Sequence, residues 1–75
     1  MLLSEMKEGQ TGKIKNIGGN GALHRRILEM GILKGSEVYI EKYAPLKDPL
    51  ELIVKGSHIS FRVEEASQIT VDNVK

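Results

Sequence analysis

The side chains with chemical reach in this 75-residue chain fall into three groups. His24, Arg25 and Arg26 share one short stretch with Glu29; His58, Glu51 and Asp48 carry donors that suit a divalent cation; and Gly18-Gly19-Asn20-Gly21 precedes a helical segment, where anions bind. Catalysis needs a nucleophile with its base, or paired acids, and no spacing here supplies either. Neither histidine has a second histidine or a carboxylate at the close spacing of a recognisable metal site. Cysteine is absent, which excludes disulfides and thiolate zinc and suits a reducing compartment. The glycine loop lacks the lysine and hydroxyl of a P-loop and the dinucleotide spacing. The residue types therefore predict a non-enzymatic protein with, at most, a weak divalent site.

The charged stretch is unusual for a helix. Leu23, Ile27 and Met30 recur at helical spacing, so the segment reads as a short helix with that face inward. His24, Arg25 and Arg26 then lie near its start and Glu29 near its end, against the macrodipole, at a cost of a few tenths of a kcal/mol each. An Arg25–Glu29 pair in this order recovers only about 0.2 to 0.5 kcal/mol. Two readings follow: a basic patch held for a partner, or a solvated face whose arginines lean on nearby carboxylates. Charge runs are commonly solvated surface, so residue patterning alone favours the second.

The remaining segments must position that helix. Gly31 can take the left-handed conformation that ends it, which puts Ile32 in reach of Ile27. Asn20 is the expected N-cap, with Gly21 the alternative. Gly12 to Ile17 reads as a strand with Ile14 inward and a bulge or exit at Ile17. Ser36 to Tyr43 alternates with Val38 and Ile40 inward. Ala44 to Pro49 is a rigid connection between prolines that leaves Leu46 exposed. Leu50 to Lys55 puts Leu50, Leu52 and Val54 inward, Gly56-Ser57 turns, and His58 to Arg62 returns with Ile59 and Phe61 inward. Val63 to Ala66 suits one helical turn, and Gln68 to Asp72 closes with Ile69 and Val71 inward. About five short strands and one inserted helix predict a mainly β domain over residues 1–75, a small, partly open antiparallel barrel with the helix across one end.

Composition bounds the partners. Net charge is +1, which gives no field for non-specific binding of nucleic acid or anionic lipid. Aromatic residues make up 4%, too few to stack bases, so an RNA-binding barrel ranks third among the functions considered. No apolar run approaches the roughly 20 residues of a membrane span, and the start lacks the layout of a signal peptide, so a cytoplasmic protein is expected.

Read in register, several segments resemble the FeoA family of ferrous iron uptake. Gly9-Gln10-Thr11-Gly12, Arg26-Ile27-Leu28-Glu29-Met30-Gly31-Ile32 and Lys34-Gly35-Ser36 resemble its first half. Ala44-Pro45-Leu46-Lys47-Asp48-Pro49, then Ser60-Phe61-Arg62-Val63-Glu64-Glu65-Ala66 with Ile69-Thr70-Val71, resemble its second. Lys47 departs from the family's usual glycine, and Phe61 from its usual aliphatic residue.

The resemblance implies an SH3-like barrel acting on the cytosolic, GTP-binding part of the membrane transporter FeoB. On that footing Arg25, Arg26 and Glu29, with Leu46, Lys47 and Asp48 of the loop, are the expected partner-binding residues. The alternative is a metal-sensing domain that binds ferrous iron itself, akin to the barrel ending iron-dependent repressors. No residues are assigned as metal ligands, and self-association is left open.

Overall fold

The computed structural model describes residues 1–19 and 21–75, so the expected Asn20 cap lies outside the described residues. Alternation builds five strands: β1 (Thr11–Ile17), β2 (Glu37–Tyr43), β3 (Leu50–Val54), β4 (Ser57–Phe61) and β5 (Ile69–Asp72). Helix α1 (Gly21–Glu29) joins β1 to β2, and the single turn α2 (Val63–Ala66) joins β4 to β5. The strands pair antiparallel in the order β4-β3-β2-β1-β5. The two outer strands do not pair with each other, so the sheet curls without closing, as the short-strand pattern predicts.

Period-2 alternation fills the interior from one face of the sheet. Ile14, Ile17, Val38, Ile40, Leu50, Leu52, Val54, Phe61, Ile69 and Val71 are all buried in one cluster. A register shift between Ile14 and Asn16 turns Ile17 back inward, which is the bulge its broken alternation implied. A second shift, between Ile40 and Lys42 in β2, has no counterpart in the sequence pattern.

Helix α1 ends in a double hydrogen bond. The Gly31 N–H donates to the Leu28 carbonyl at 3.0 Å and the Ile32 N–H to the Ile27 carbonyl at 3.3 Å, with Gly31 at φ 81°. This is the Schellman arrangement, and its apolar contact is made by Ile27 and Ile32, both buried. Leu23 packs partly against the same core. Met30 does not, which corrects the expected inner face: it is 39% exposed, because the chain reverses at Gly31 and Ile32 takes the inward place.

One further correction concerns a turn, and the amino end adds an element that the sequence pattern did not announce. The β3–β4 turn is Lys55-Gly56, at φ 53° and 80°, and Ser57 already pairs with Val54. Two consecutive positive φ angles are those of a type I′ turn, which matches the strand twist. At the amino end, a 3₁₀ turn at Leu3–Glu5 sends Leu3 and Met6 into the core. Tyr43 holds that turn through its hydroxyl, whose single proton is offered to the neighbouring carbonyl oxygens of Met6 and Ser4. Leu2 bridges to Thr70 and the Val71 N–H donates to the Met1 carbonyl at 2.7 Å, so β5 has its outer edge covered.

Candidate interaction surface

Position on α1 decides what each charged side chain can do. Ile27 points to the core, so Arg26, one residue earlier, emerges at the side that faces α2. Its guanidinium donates to Glu65 Oε2 at 2.7 Å and lies 5.6 Å from the centre of the Phe61 ring. Glu65 also accepts the Arg62 N–H at 2.9 Å. The Arg26 hydrogen bond is the main reason the Glu65 carboxyl is held below the usual carboxylate range; partial burial opposes it and the Arg62 N–H assists. Arg26 thus leans on a carboxylate 39 positions away, the reading that patterning alone favoured. The anticipated Arg25–Glu29 pair is not among the ion pairs of the described residues; both side chains are exposed.

The proline-framed loop is built from its own backbone. Ala44 donates to the Pro49 carbonyl at 3.0 Å and Lys47 to the Ala44 carbonyl at 2.7 Å, and the Asp48–Pro49 bond is cis. Lys47 adopts φ 69°, the left-handed conformation for which a glycine would be the ordinary choice. Asp48 ties the loop to α2, because Oδ1 accepts the Val63 N–H at 3.1 Å and Oδ2 lies 4.0 Å from Arg62. Leu46 is left at 89% exposure.

Of the predicted set, Arg26 borders a depression whose other lining residues lie outside that set, and Asp48 approaches it through Arg62. Arg26, Pro49, Ser60, Arg62 and Glu65 line one depression of about 350 Å³, so the middle of α1 and the foot of the loop border the same surface. Arg62 and Glu65, which join the two halves, are not among the residues singled out from sequence. Their sign was the Arg62-Val63-Glu64-Glu65 run itself, in which the third helical residue can reach back to the cap N–H.

The divalent trio does not assemble. His58 Nδ1 lies 3.7 Å from Glu41 Oε1, whereas Glu51 faces Lys42 at 3.9 Å. Glu51 pairs across the ladder with Ser60 and His58 with Ile53, which sets them diagonally, and Asp48 is engaged at α2. Among the described residues no three histidine, aspartate or glutamate side chains gather as metal ligands.

The FeoA domain family matches residues 1–73. The chain belongs to the FeoA family. Its FeoA-like relatives include the Fe(2+) transport protein A/Fe(2+) transporter FeoB fusion protein of Porphyromonas gingivalis, 36% identical over 72 residues, or 96% of this chain. This chain spans only 8% of that relative's length. The solved FeoA protein of Chlorobium tepidum superposes with a TM-score of 0.90 at 34% identity, covering 95% of this chain and 68% of that one. FeoA of Stenotrophomonas maltophilia, complexed with zinc and described as an SH3 domain protein, superposes with a TM-score of 0.88 at 28% identity. Coverage there is 100% of this chain and 95% of the other. The FeoA assignment links the chain to ferrous iron transport and gives its open five-stranded sheet the SH3-like description. Among the described residues no helix is long and apolar enough to cross a membrane.

Proposed function

We propose that this chain is a non-enzymatic accessory of ferrous iron uptake that binds the cytosolic, GTP-binding part of a FeoB-type transporter and regulates it from the inner face of the membrane. The observation that carries this reading is the Porphyromonas gingivalis relative, in which the transport protein A and FeoB are one polypeptide. Fusion raises the effective concentration of one part for the other, which is useful when the two must meet. The contact surface is the predicted set, divided by role. Arg25, Glu29, Leu46 and Lys47 present free side chains to the transporter, while Arg26 and Asp48 hold the helix and the loop in place through Glu65 and Val63.

The test is titration of the isotope-labelled chain with FeoB in nanodiscs. Resonances of α1 and of residues 44–49 should shift at micromolar concentration, and Leu46→Glu with Lys47→Glu should remove most of the shift. Absence of any shift at high micromolar FeoB overturns the reading. Anaerobic calorimetry separates it from the metal-sensing alternative, because micromolar binding of ferrous iron would move the function to metal sensing.

A further inference from the structure

The curled sheet has two outer strands, and only one of them has a neighbour on its far side. At β5 the Met1-Leu2 segment takes that place, through the Leu2–Thr70 bridge and the Val71 N–H to the Met1 carbonyl. At β4 nothing among the described residues does so. The alternation of an antiparallel ladder fixes which of its groups are left over. Ile40 directs its N–H and C=O toward Gln10 and Gly9 on the β1 side, so Tyr39 faces β3 and its partner Ile53 faces β2. Leu52 and Val54 then bond to Ile59 and Ser57, as the two-residue turn at Lys55-Gly56 also requires. The main-chain groups of His58 and Ser60 therefore point outward. Helix α1 meets this hairpin at its two ends, with Arg26 above the Phe61 ring and the Gly31 carbonyl at the Lys55 ammonium, and leaves Ser57, His58 and Ser60 exposed. The strand also lacks the usual guards of an open edge, since it holds no proline and no lysine and its register against β3 runs without a bulge.

We infer that this edge pairs with the same edge of a second copy, two β4 strands running antiparallel about a two-fold axis at Ile59. Hydrogen-bonded partners must come from the outward groups, so His58 of each chain stands opposite Ser60 of the other and the two exchange N–H and C=O bonds. Side chains and charges in that register select a copy over an unrelated extended segment. Half-buried Ile59 meets its own counterpart across the axis at the close spacing of a non-hydrogen-bonded pair, and small Ser57 lies opposite large Phe61. Beyond the strand ends, Lys55 comes opposite Val63 at the start of the other copy's α2, beside Glu64. Neither Lys55 nor Glu64 has an ion pair of its own among the described residues, so two unpaired opposite charges approach at each end. The remaining charges along the edge are matched within each chain: Arg26 with Glu65, Arg62 with Asp48, Lys42 with Glu51, and His58 beside Glu41. Two such edges meet without net repulsion. A five-residue edge keeps the total buried surface below about 1,200 Å², which puts the pairing in the weak, transient class.

Sedimentation equilibrium of the parent chain should show monomer at about 10 µM and predominantly dimer at about 1 mM, the range of a weak interface. Over the same range the amide resonances of residues 58 and 60 should move most, because within β4 they are the ones that point away from β3. Two double variants test the register: His58→Lys with Ser60→Lys, and His58→Glu with Ser60→Glu. Both positions are exposed, so thermal melts should coincide with the parent and certify folding. Either variant alone sets like charges directly opposite one another and should weaken dimerisation about tenfold or more. An equal mixture of the two sets lysine opposite glutamate and should pair at least as well as the parent. A parent chain that stays monomeric at the upper concentration, a dimer that both variants leave undiminished, or a mixture that fails to pair overturns the inference. So does movement of residues 58 and 60 on adding FeoB in nanodiscs while the chain stays monomeric, which assigns the edge to a strand of the transporter.

Discussion

Lys47 offers a stability test that separates backbone from side chain. Its φ of 69° places an L residue in the left-handed region, at a cost of about 1 to 2 kcal/mol relative to the ordinary right-handed conformation. Glycine removes that penalty but gains freedom in the unfolded chain, which returns about 0.4 to 1 kcal/mol. Lys47→Gly should therefore stabilise the domain by a net ~0.5 to 1 kcal/mol. For a chain of this size, that raises the melting temperature by about 2 to 8 °C. Lys47→Ala is the control, since alanine keeps the backbone penalty while losing the ammonium and stem; its melting temperature should match the parent within about 2 °C. Scanning calorimetry with reversible melts reads both. If Lys47→Gly melts at or below the parent temperature, or Lys47→Ala rises as far as Lys47→Gly, the left-handed backbone is not what limits the loop. The glycine variant also probes the proposed interface, because it keeps the loop path and deletes the charge.

Ile27→Asp places a carboxylate at a fully buried position beneath a helix too short to persist by itself, so circular dichroism should show no cooperative melt; a transition within a few degrees of the parent refutes the helix as a lid. The Arg26–Glu65 contact, with side chains 45% and 25% exposed, should give a coupling of about 0.2 to 1 kcal/mol in a double-mutant cycle with Arg26→Ala and Glu65→Gln. Because folding lowers the Glu65 pKa, its contribution is complete above the ordinary carboxylate range and fades as pH falls through the lowered value; Glu65→Gln should lack that part of the acid dependence, and an unchanged acid limb in urea melts refutes it. Gly19→Ala should destabilise by about 1 kcal/mol or more, since φ is 91° and the new Cβ would stand 2.9 Å from Leu23 Cδ2; an unchanged denaturant midpoint sinks this account of the loop.

Local rules carried most of the fold. Val38 and Ile40, Leu50 to Val54, and Ile69 with Val71 announce their faces by alternation, and Gly31-Ile32 announces the end of α1 by a motif six residues long. What stayed hidden depends on partners distant in the chain. Leu3 and Met6 enter the core through a 3₁₀ turn with no alternation to advertise it, held by Tyr43 across nearly 40 positions. Met30 fits the helical period yet lies where the chain reverses, so periodicity misplaces it by counting one turn too far. For the surface, the exposure of Arg25, Leu46 and Lys47 was legible. The anchoring roles of Arg26 and Asp48 were not, because Glu65 and Val63 come within reach only after the sheet curls.

Helix α1 hangs between two left-handed glycines, Gly19 at φ 91° and Gly31 at φ 81°, and touches the interior through Leu23, Ile27 and the following Ile32. It is a cassette clipped into the barrel by three apolar pegs. His24, Arg25, Leu28 and Glu29 can change at little cost to folding, so that, on the function proposed above, specificity for the transporter can be rewritten there. Transplanting those four residues from another FeoA chain would be expected to carry over the donor's preference while leaving the recipient's barrel and its melting temperature intact.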